Sequence, residues 1–423
     1  MSVKKQSVIR KIISGLTGEV QFQKADRILR EMFLECEEAE YREKINYVRK
    51  IIRQYRKKQK KKIVISGSLL CMVFIISLIW SGVHLAGDHI KDAQTGVSTE
   101  KPQSVVEYDT EKITEKTTEL IEPTELLLTF TGDCILGTDE FFAWDTGFNA
   151  YYEMYGPEYF LDNVRDIFRK DDLTIINMEG TLTEETTRLD KQFAFKGDPE
   201  FVDILASSSI EAANVANNHS HDYGEQSFLD TVDLLEKNDI KTFGYDDTTV
   251  ITVKNVKVGF FGIYELDDHL ARIPQVKSNI ARLEEDGADI IVAVFHWSNE
   301  LVTVPDENQV TLAHLAIDEG ADVVVGHHPH VVQGIDTYKG KTIAYSLGNF
   351  CFGGNTHPTE MDTMIFQQKF MVDAHKEIID SEINVIPCSV SSEISFNNYQ
   401  PTVLTGTEAQ RVLDVIEQRS EAI

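Results

Sequence analysis

The chain has 423 residues, room for two or three units of ordinary size, and its 42% hydrophobic and 26% charged residues exclude wholesale disorder and collagen. Its five scattered cysteines (Cys36, Cys71, Cys134, Cys351, Cys388) lack CxxC spacing, which argues against a zinc ribbon or a disulfide scaffold. The net charge of −28 is uneven: residues 1–62 hold 18 of the 41 Lys+Arg and 8 of the 69 Asp+Glu, so the head carries +10 and the body −38. A body this acidic does not suit nucleic acid, whose binding needs basic surface to displace counterions; the basic head suits an anionic membrane surface.

In chain order, residues 1–62 read as a basic helical segment. Ile28, Leu29, Met32 and Phe33 share one helical face, and Ile45, Val48, Ile51 and Ile52 continue the period. Residues 63–86, Ile63 to Ala86, form a run of 24 without Asp, Glu, Lys or Arg. About 20 apolar residues cross a hydrocarbon core, so a transmembrane helix is expected here, a signal-anchor rather than a cleaved leader. Arg53, Arg56, Lys57, Lys58, Lys60, Lys61 and Lys62 precede the span, which places the N-terminus in the cytoplasm and the remainder outside. Residues 87–124 are rich in Thr, Glu, Lys and Ser and poor in large apolar side chains, the composition of an extracytoplasmic flexible linker.

From Glu125 short apolar runs alternate with helical patterns. Leu126–Thr131, Leu173–Asn177, Val256–Ile263, Asp289–Phe295 and Asp322–Val325 read as strands. Ser227–Lys237, Ser278–Glu285 and Asn308–Glu319 read as helices between them. Continuously apolar strands are covered on both faces, so residues 125–400 are expected to form an α/β layered domain, closed by a helical tail over 401–423.

Polar groups gather where the apolar runs stop, which is where α/β folds place their ligands. The first run ends in Gly132-Asp133 and the second in Asn177-Met178-Glu179-Gly180, with Asn177 and Glu179 on one side of an extended chain. Ala216-Asn217-Asn218-His219-Ser220-His221-Asp222-Tyr223-Gly224 is dense in metal- and phosphate-binding side chains. His296-Trp297 closes the fourth run, and Gly326-His327-His328-Pro329-His330 the fifth. His328 and His330, two apart, would face one side of an extended chain, as paired imidazole ligands must. Tyr345-Ser346-Leu347-Gly348-Asn349 ends one more strand. Carboxylate, amide and imidazole together suit one or two divalent ions of the Mn, Fe or Zn kind, which beside an anionic substrate act as Lewis acids.

These segments, with Glu300 after the His-Trp pair, resemble in this order the CapA family of bacterial capsule or poly-γ-glutamate synthesis proteins, a branch similar to the calcineurin-like metallophosphoesterases. The resemblance covers about residues 125–390. It implies a layered sandwich of two mixed β-sheets flanked by helices. It implies Asp133, Glu179, Asn218, His296, His328 and His330 as metal ligands, with Glu179 at the bridging place. It implies His219 as acid or charge stabiliser at the leaving group, Asp222 orienting it, and Asn177, Asn217, His221, Trp297, Glu300, His327 and Asn349 around the substrate. Two positions depart from the wider pattern: Ile135 stands where Asp-x-His has its imidazole, and the Asn177/Glu179 pair replaces the bridging aspartate. The implied partners are the membrane, an anionic polymer or phosphoester, and other subunits of a polymer synthase or export complex. Two roles stay open, a phosphoesterase and a non-catalytic metal-binding assembly or export factor.

Overall fold

The computed structural model describes residues 122–142 and 147–423. The expected head, span and nearly all of the linker lie outside the described residues. Among the described residues no helix is long and apolar enough to cross a membrane.

The strands are β1 (Thr124–Ile135), β2 (Thr138–Asp139), β3 (Leu173–Met178), β4 (Thr181–Leu182), β5 (Phe195–Gly197) and β6 (Ala212–Asn214). They continue with β7 (Lys241–Phe243), β8 (Thr248–Val253), β9 (Val256–Tyr264), β10 (Ile290–His296), β11 (Val323–His327) and β12 (Ile335–Tyr338). The last are β13 (Lys341–Ala344), β14 (Asn349–Phe352), β15 (Asp362–Val372), β16 (Ile378–Ser389) and β17 (Thr402–Val403). The helices are α1 (Phe148–Tyr155), α2 (Arg165–Phe168), α3 (Val202–Ala206), α4 (Glu225–Lys237), α5 (Ile273–Glu285), α6 (Glu307–Glu319) and α7 (Gly406–Ser420).

Two mixed sheets dominate. One runs β17-β16-β15-β1-β3-β6-β7, with β14 also paired to β1; the other runs β12-β13-β11-β10-β9-β8. Strands β1, β3, β6 and β7 are parallel neighbours, and so are β9, β10, β11 and β13. The apolar runs follow from burial on both faces. In β10, Ile290, Val292 and Val294 join Leu128, Phe130, Val258 and Phe260 in the core between the sheets. Their neighbours Ile291, Ala293 and Phe295 pack outward with Ile280 and Leu283 of α5 and Leu312 and Ala316 of α6. On the other outer face, Ile176 and Met178 of β3 meet Phe168 of α2 and Leu235 of α4. Each of the larger side chains contributes roughly 1.5–3 kcal/mol relative to exposure, so burial of both faces of each strand favours a layered α/β/β/α stack.

Helix α5 begins at Ile273, five residues before the sequence pattern suggests, because Pro274 sits in the first turn, where its missing N–H costs nothing. Helix α6 starts on a capping box, Asp306 with Gln309, and ends at Gly320. Helix α7 sends Val412 and Ile416 into the inter-sheet core. The long β15–β16 hairpin has no counterpart in the sequence reading. Residues Asp380 to Asn384 of β16 are exposed on both faces, which erases the alternation that would announce a strand.

Two local features aim the strand ends. The register of β1 against β3 shifts between Phe130 and Asp133, a bulge that re-aims the Asp133 side chain. Gly132 lets β14 approach: a Cβ there would collide with the carbonyl oxygen of Gly348, whose close passage lets the Asp133 N–H donate to it at 2.9 Å.

Candidate metal centre

The parallel strands of both sheets deliver their C-terminal residues to one buried spot. Asn177 links the sheets: its Nδ2 lies 2.8 Å from Asp133 Oδ1 and 3.2 Å from His296 Nδ1. Asn214 at the end of β6 donates to Asn177 Oδ1 at 2.9 Å and fixes that amide's orientation. Around this brace stand two trios, Asp133–Glu179–His330 and Glu179–His296–His328, within each of which the ligand-type atoms lie within 4.8 Å of one another. Glu179 belongs to both. Asn218 completes the second, its Oδ1 2.7 Å from His296 Nε2. His327 flanks the first, its Nδ1 3.0 Å from Asp133 Oδ1.

The electrostatics follow from burial. Desolvation alone would raise the Asp133 carboxyl, but hydrogen bonds and charge from His327 and His330 outweigh it and hold the group well below the usual range. Glu179 goes the other way, pushed well up by burial and then by the Asp133 charge. Burial, with His328 nearby, keeps His296 neutral. Burial and His330 hold His328 down at about 3. At His330 burial is opposed and overcome by Glu179 and Asp133, which lift it to about 9. Asp133 is thus held charged by its imidazole neighbours, while Glu179 resists ionising unless a further cation offsets it.

The residues present fit a divalent cation. Both oxygens of the fully buried Glu179 carboxylate lack a hydrogen-bond partner. Such a group costs several kcal/mol unless a cation compensates it. The donor set of carboxylate, imidazole and amide is the one expected of Mn, Fe or Zn, and does not select among them.

Beside the trios lies His219, whose Nδ1 is 2.6 Å from Asp222 Oδ2 and whose Nε2 is 4.0 Å from Glu179 Oε1. Asp222 is itself fixed by Lys191 Nζ at 2.7 Å and by the Phe195 N–H at 2.6 Å. Burial lowers the His219 pKa, and Asp222 offsets this in part. Asn217 shapes the loop: its Nδ2 donates to the Met178 carbonyl at 2.8 Å, and its Oδ1 accepts from the His219 N–H at 3.1 Å. Asn349, in register with Asp133, keeps an unpartnered Oδ1 and lines the cleft above the centre together with Glu300.

Three expectations need correction. Trp297 is not at the cleft: alternation along the chain after His296 turns it to the opposite face, where it is fully buried, stacks on Phe295 at 4.5 Å and donates to the Tyr345 carbonyl at 2.9 Å. His221 points away from the trios, stacking on Phe228 at 4.6 Å and pairing with Glu225 at 3.6 Å. His328 and His330 converge, with ring centroids 5.5 Å apart, but not through an extended chain. Strand β11 ends at His327, and the next turn holds His328 (φ 94°) and His330 (φ 56°) in left-handed conformations. Such conformations cost of order 1–3 kcal/mol each and mark functional turns.

The sequence reading missed Asn214, Lys191 and Glu265. Glu265 follows β9; its N–H donates to the His296 carbonyl at 2.9 Å, and its carboxylate accepts from the Ser298 N–H at 3.3 Å. The usable signal for Asn214 and Glu265 was a polar residue at a strand end. Lys191 sits in an irregular loop and carries no such signal.

Residues 127–354, more than half of the chain, match the family model described as bacterial capsule synthesis protein PGA_cap. This chain belongs to that family. It is 30% identical over 221 residues to the PGA biosynthesis protein CapA of Bacillus subtilis (strain 168), covering 47% of this chain and 58% of that relative. It is 28% identical over 295 residues to the capsule biosynthesis protein CapA of Bacillus anthracis, covering 64% and 68%. A probable polyglutamine synthesis accessory protein of Mycobacterium tuberculosis (strain H37Rv) is 27% identical over 210 residues, covering 42% and 55%. The chain thus spans less than two thirds of the first and third of these relatives. Among solved structures, a hypothetical protein from Thermus thermophilus aligns with TM-score 0.38 at 15% identity, covering 62% of this chain and 99% of that one. A 5′-nucleotidase from Candida albicans aligns with TM-score 0.36 at 11% identity, covering 70% and 57%. Both are loose likenesses.

Proposed function

We propose that this chain acts in capsule or poly-γ-glutamate synthesis as a membrane-anchored, extracytoplasmic metallophosphoesterase of the calcineurin-like kind. The observation that carries the reading is the pair of ligand trios sharing the unpartnered Glu179 carboxylate. A single carboxylate common to two sets is what a pair of divalent ions needs. The biosynthetic roles of the Bacillus relatives support the polymer, and the apolar run at 63–86 behind a basic head supports the anchor.

In this reading Asp133, Glu179 and His330 would hold one ion, and Glu179, Asn218, His296 and His328 would hold a second. Bound divalent ions supply Lewis-acid chemistry towards phosphoryl oxygens. The protein's own part is positioning and proton handling. Asn177 and Asn214 lock the carboxylate and imidazole orientations. His219, held through Nδ1 by Asp222, presents Nε2 to the cleft and is placed to deliver a proton to a departing oxygen. Lys191 holds Asp222 in place.

One observation favours a second reading, in which the domain binds metal and guides polymer without turnover: Ile135, not an imidazole, stands two residues after Asp133. The deciding experiment loads the full-length, detergent-purified chain with Mn²⁺ and measures bound metal and turnover of a generic phosphomonoester and phosphodiester. Metal-dependent turnover, lost in Asp133→Ala and His328→Ala, is expected. Bound metal with no turnover, alongside loss of polymer in the same variants, would select the assembly factor.

A further inference from the structure

Above the centre opens a cleft of about 170 Å³ whose lining includes His219, His330 and Asn349. Its lining mixes polar side chains with a group of apolar ones. Ile135, Phe195 and Phe352 form a small buried cluster with Phe142 against it. Phe193 extends this group, edge-on to Phe142 at 6.0 Å and nearly parallel to Phe195 at 6.2 Å. Phe193 is 38% exposed and lines the cleft. The group begins at the proton-handling imidazole itself, with the Phe195 ring 4.6 Å from that of His219. Ile135 is almost fully buried within this cluster.

Charge narrows the occupant further. Glu300 and Glu360 line the same cleft, and among the described residues no Lys or Arg does. A negative charge placed beyond the centre would meet these two acids, and the described lining offers only the imidazoles of His219 and His330 to offset them. The volume fits a single ring-sized group, since an apolar cavity of about 150 Å³ takes benzene.

We infer that the ester handled at this centre carries a compact, apolar leaving group without negative charge, an inference that rests on the phosphoester reading above. The phosphoryl group sits over Glu179 and its imidazoles, and the leaving group lies against Phe193 and Phe195, within reach of His219 Nε2. A polyanionic chain does not thread this cleft. The chain's part in polymer synthesis is then played on a small apolar ester and not on the polymer backbone.

The test uses the full-length Mn²⁺-loaded protein turning over 4-nitrophenyl phosphate, with three competing phosphonates. Phenylphosphonate is expected to inhibit about tenfold more tightly than methylphosphonate, the ratio that burial of one ring gives. Phosphonoacetate, with a second negative charge, is expected to be no tighter than methylphosphonate. Phe193→Ala should remove the phenyl advantage and leave methylphosphonate unchanged, and Phe193→Tyr should restore it. Equal inhibition by the phenyl and methyl compounds, or tightest inhibition by phosphonoacetate, would overturn the inference while leaving the phosphoesterase standing. Absence of metal-dependent turnover on any ester would remove that reading and this inference with it.

Discussion

The two ends of the central parallel strands both hold carboxylates, half-buried at the N-terminal end and fully buried at the C-terminal end, and they engage them differently. At the N-terminal end each acid closes a strand. Asp172 accepts from the Leu127 N–H at 2.9 Å and pairs with Lys254 at 2.7 Å. Glu211 accepts from the Thr174 N–H at 2.7 Å, and Asp171 from the Thr174 hydroxyl at 2.6 Å. At the C-terminal end Asp133 is similarly engaged, but neither oxygen of Glu179 is hydrogen-bonded. Burial of an acid is not by itself the mark of function in this fold, since Asp139 is as buried yet accepts from Arg188 and from the Phe141 and Ala194 N–H groups. The mark is burial without a partner, because only a ligand can then meet its desolvation cost.

That contrast breaks most sharply at Glu179. Glu179→Gln should strip metal from both trios, read by elemental analysis. It should also raise the melting temperature of the metal-free protein, by about 2–4 °C per kcal/mol recovered and more so as the pH rises, because the amide cannot ionise beside Asp133. A metal-free variant less stable than the parent would mean that Glu179 is an ordinary structural acid. Asp222→Asn should lower turnover by about a hundredfold with metal content unchanged, since it acts only through His219. Equal loss of metal would place Asp222 among the ligands instead.

At the other end the effects should be smaller and confined to stability. Asp172→Ala removes a strand-end acceptor and should cost about 1–2 kcal/mol, read in denaturant unfolding, while metal content and turnover stay put. Glu211 is the subtlest. Burial, reinforced by Asp171, raises its carboxyl from 4.5 to about 7. The folded state then binds the proton more tightly than the unfolded chain, so stability falls as the pH rises from about 4.5 through about 7. Glu211→Gln should therefore raise the melting temperature more at pH 8 than at pH 5; the same gain at both would show that the carboxyl titrates normally.

Much of this architecture was legible before any coordinates. The runs at Leu126, Leu173, Val256, Asp289 and Asp322 are apolar on successive residues because both faces of each sheet are covered, and they became β1, β3, β9, β10 and β11. The residues after them were readable as a site because strand ends are where polar groups have no structural duty. Trp297 misled for the opposite reason: it adjoins His296, yet neighbours in an extended segment face opposite layers. The β15–β16 hairpin was invisible because solvent on both faces of β16 removes the pattern that a strand needs to be seen.

The one-dimensional order of residues settled what kinds of side chain were available, and that each followed an apolar run, because periodicity and composition are local properties. It could not decide which would meet. That fell to packing: the bulge before Asp133, the passage of β14 over Gly132, and the left-handed turn through His328 and His330 are consequences of long-range contacts. Only the stacked sheets could show that Glu179 alone stands within reach of both sets of ligands, since that is a statement about distances between strands and not along one.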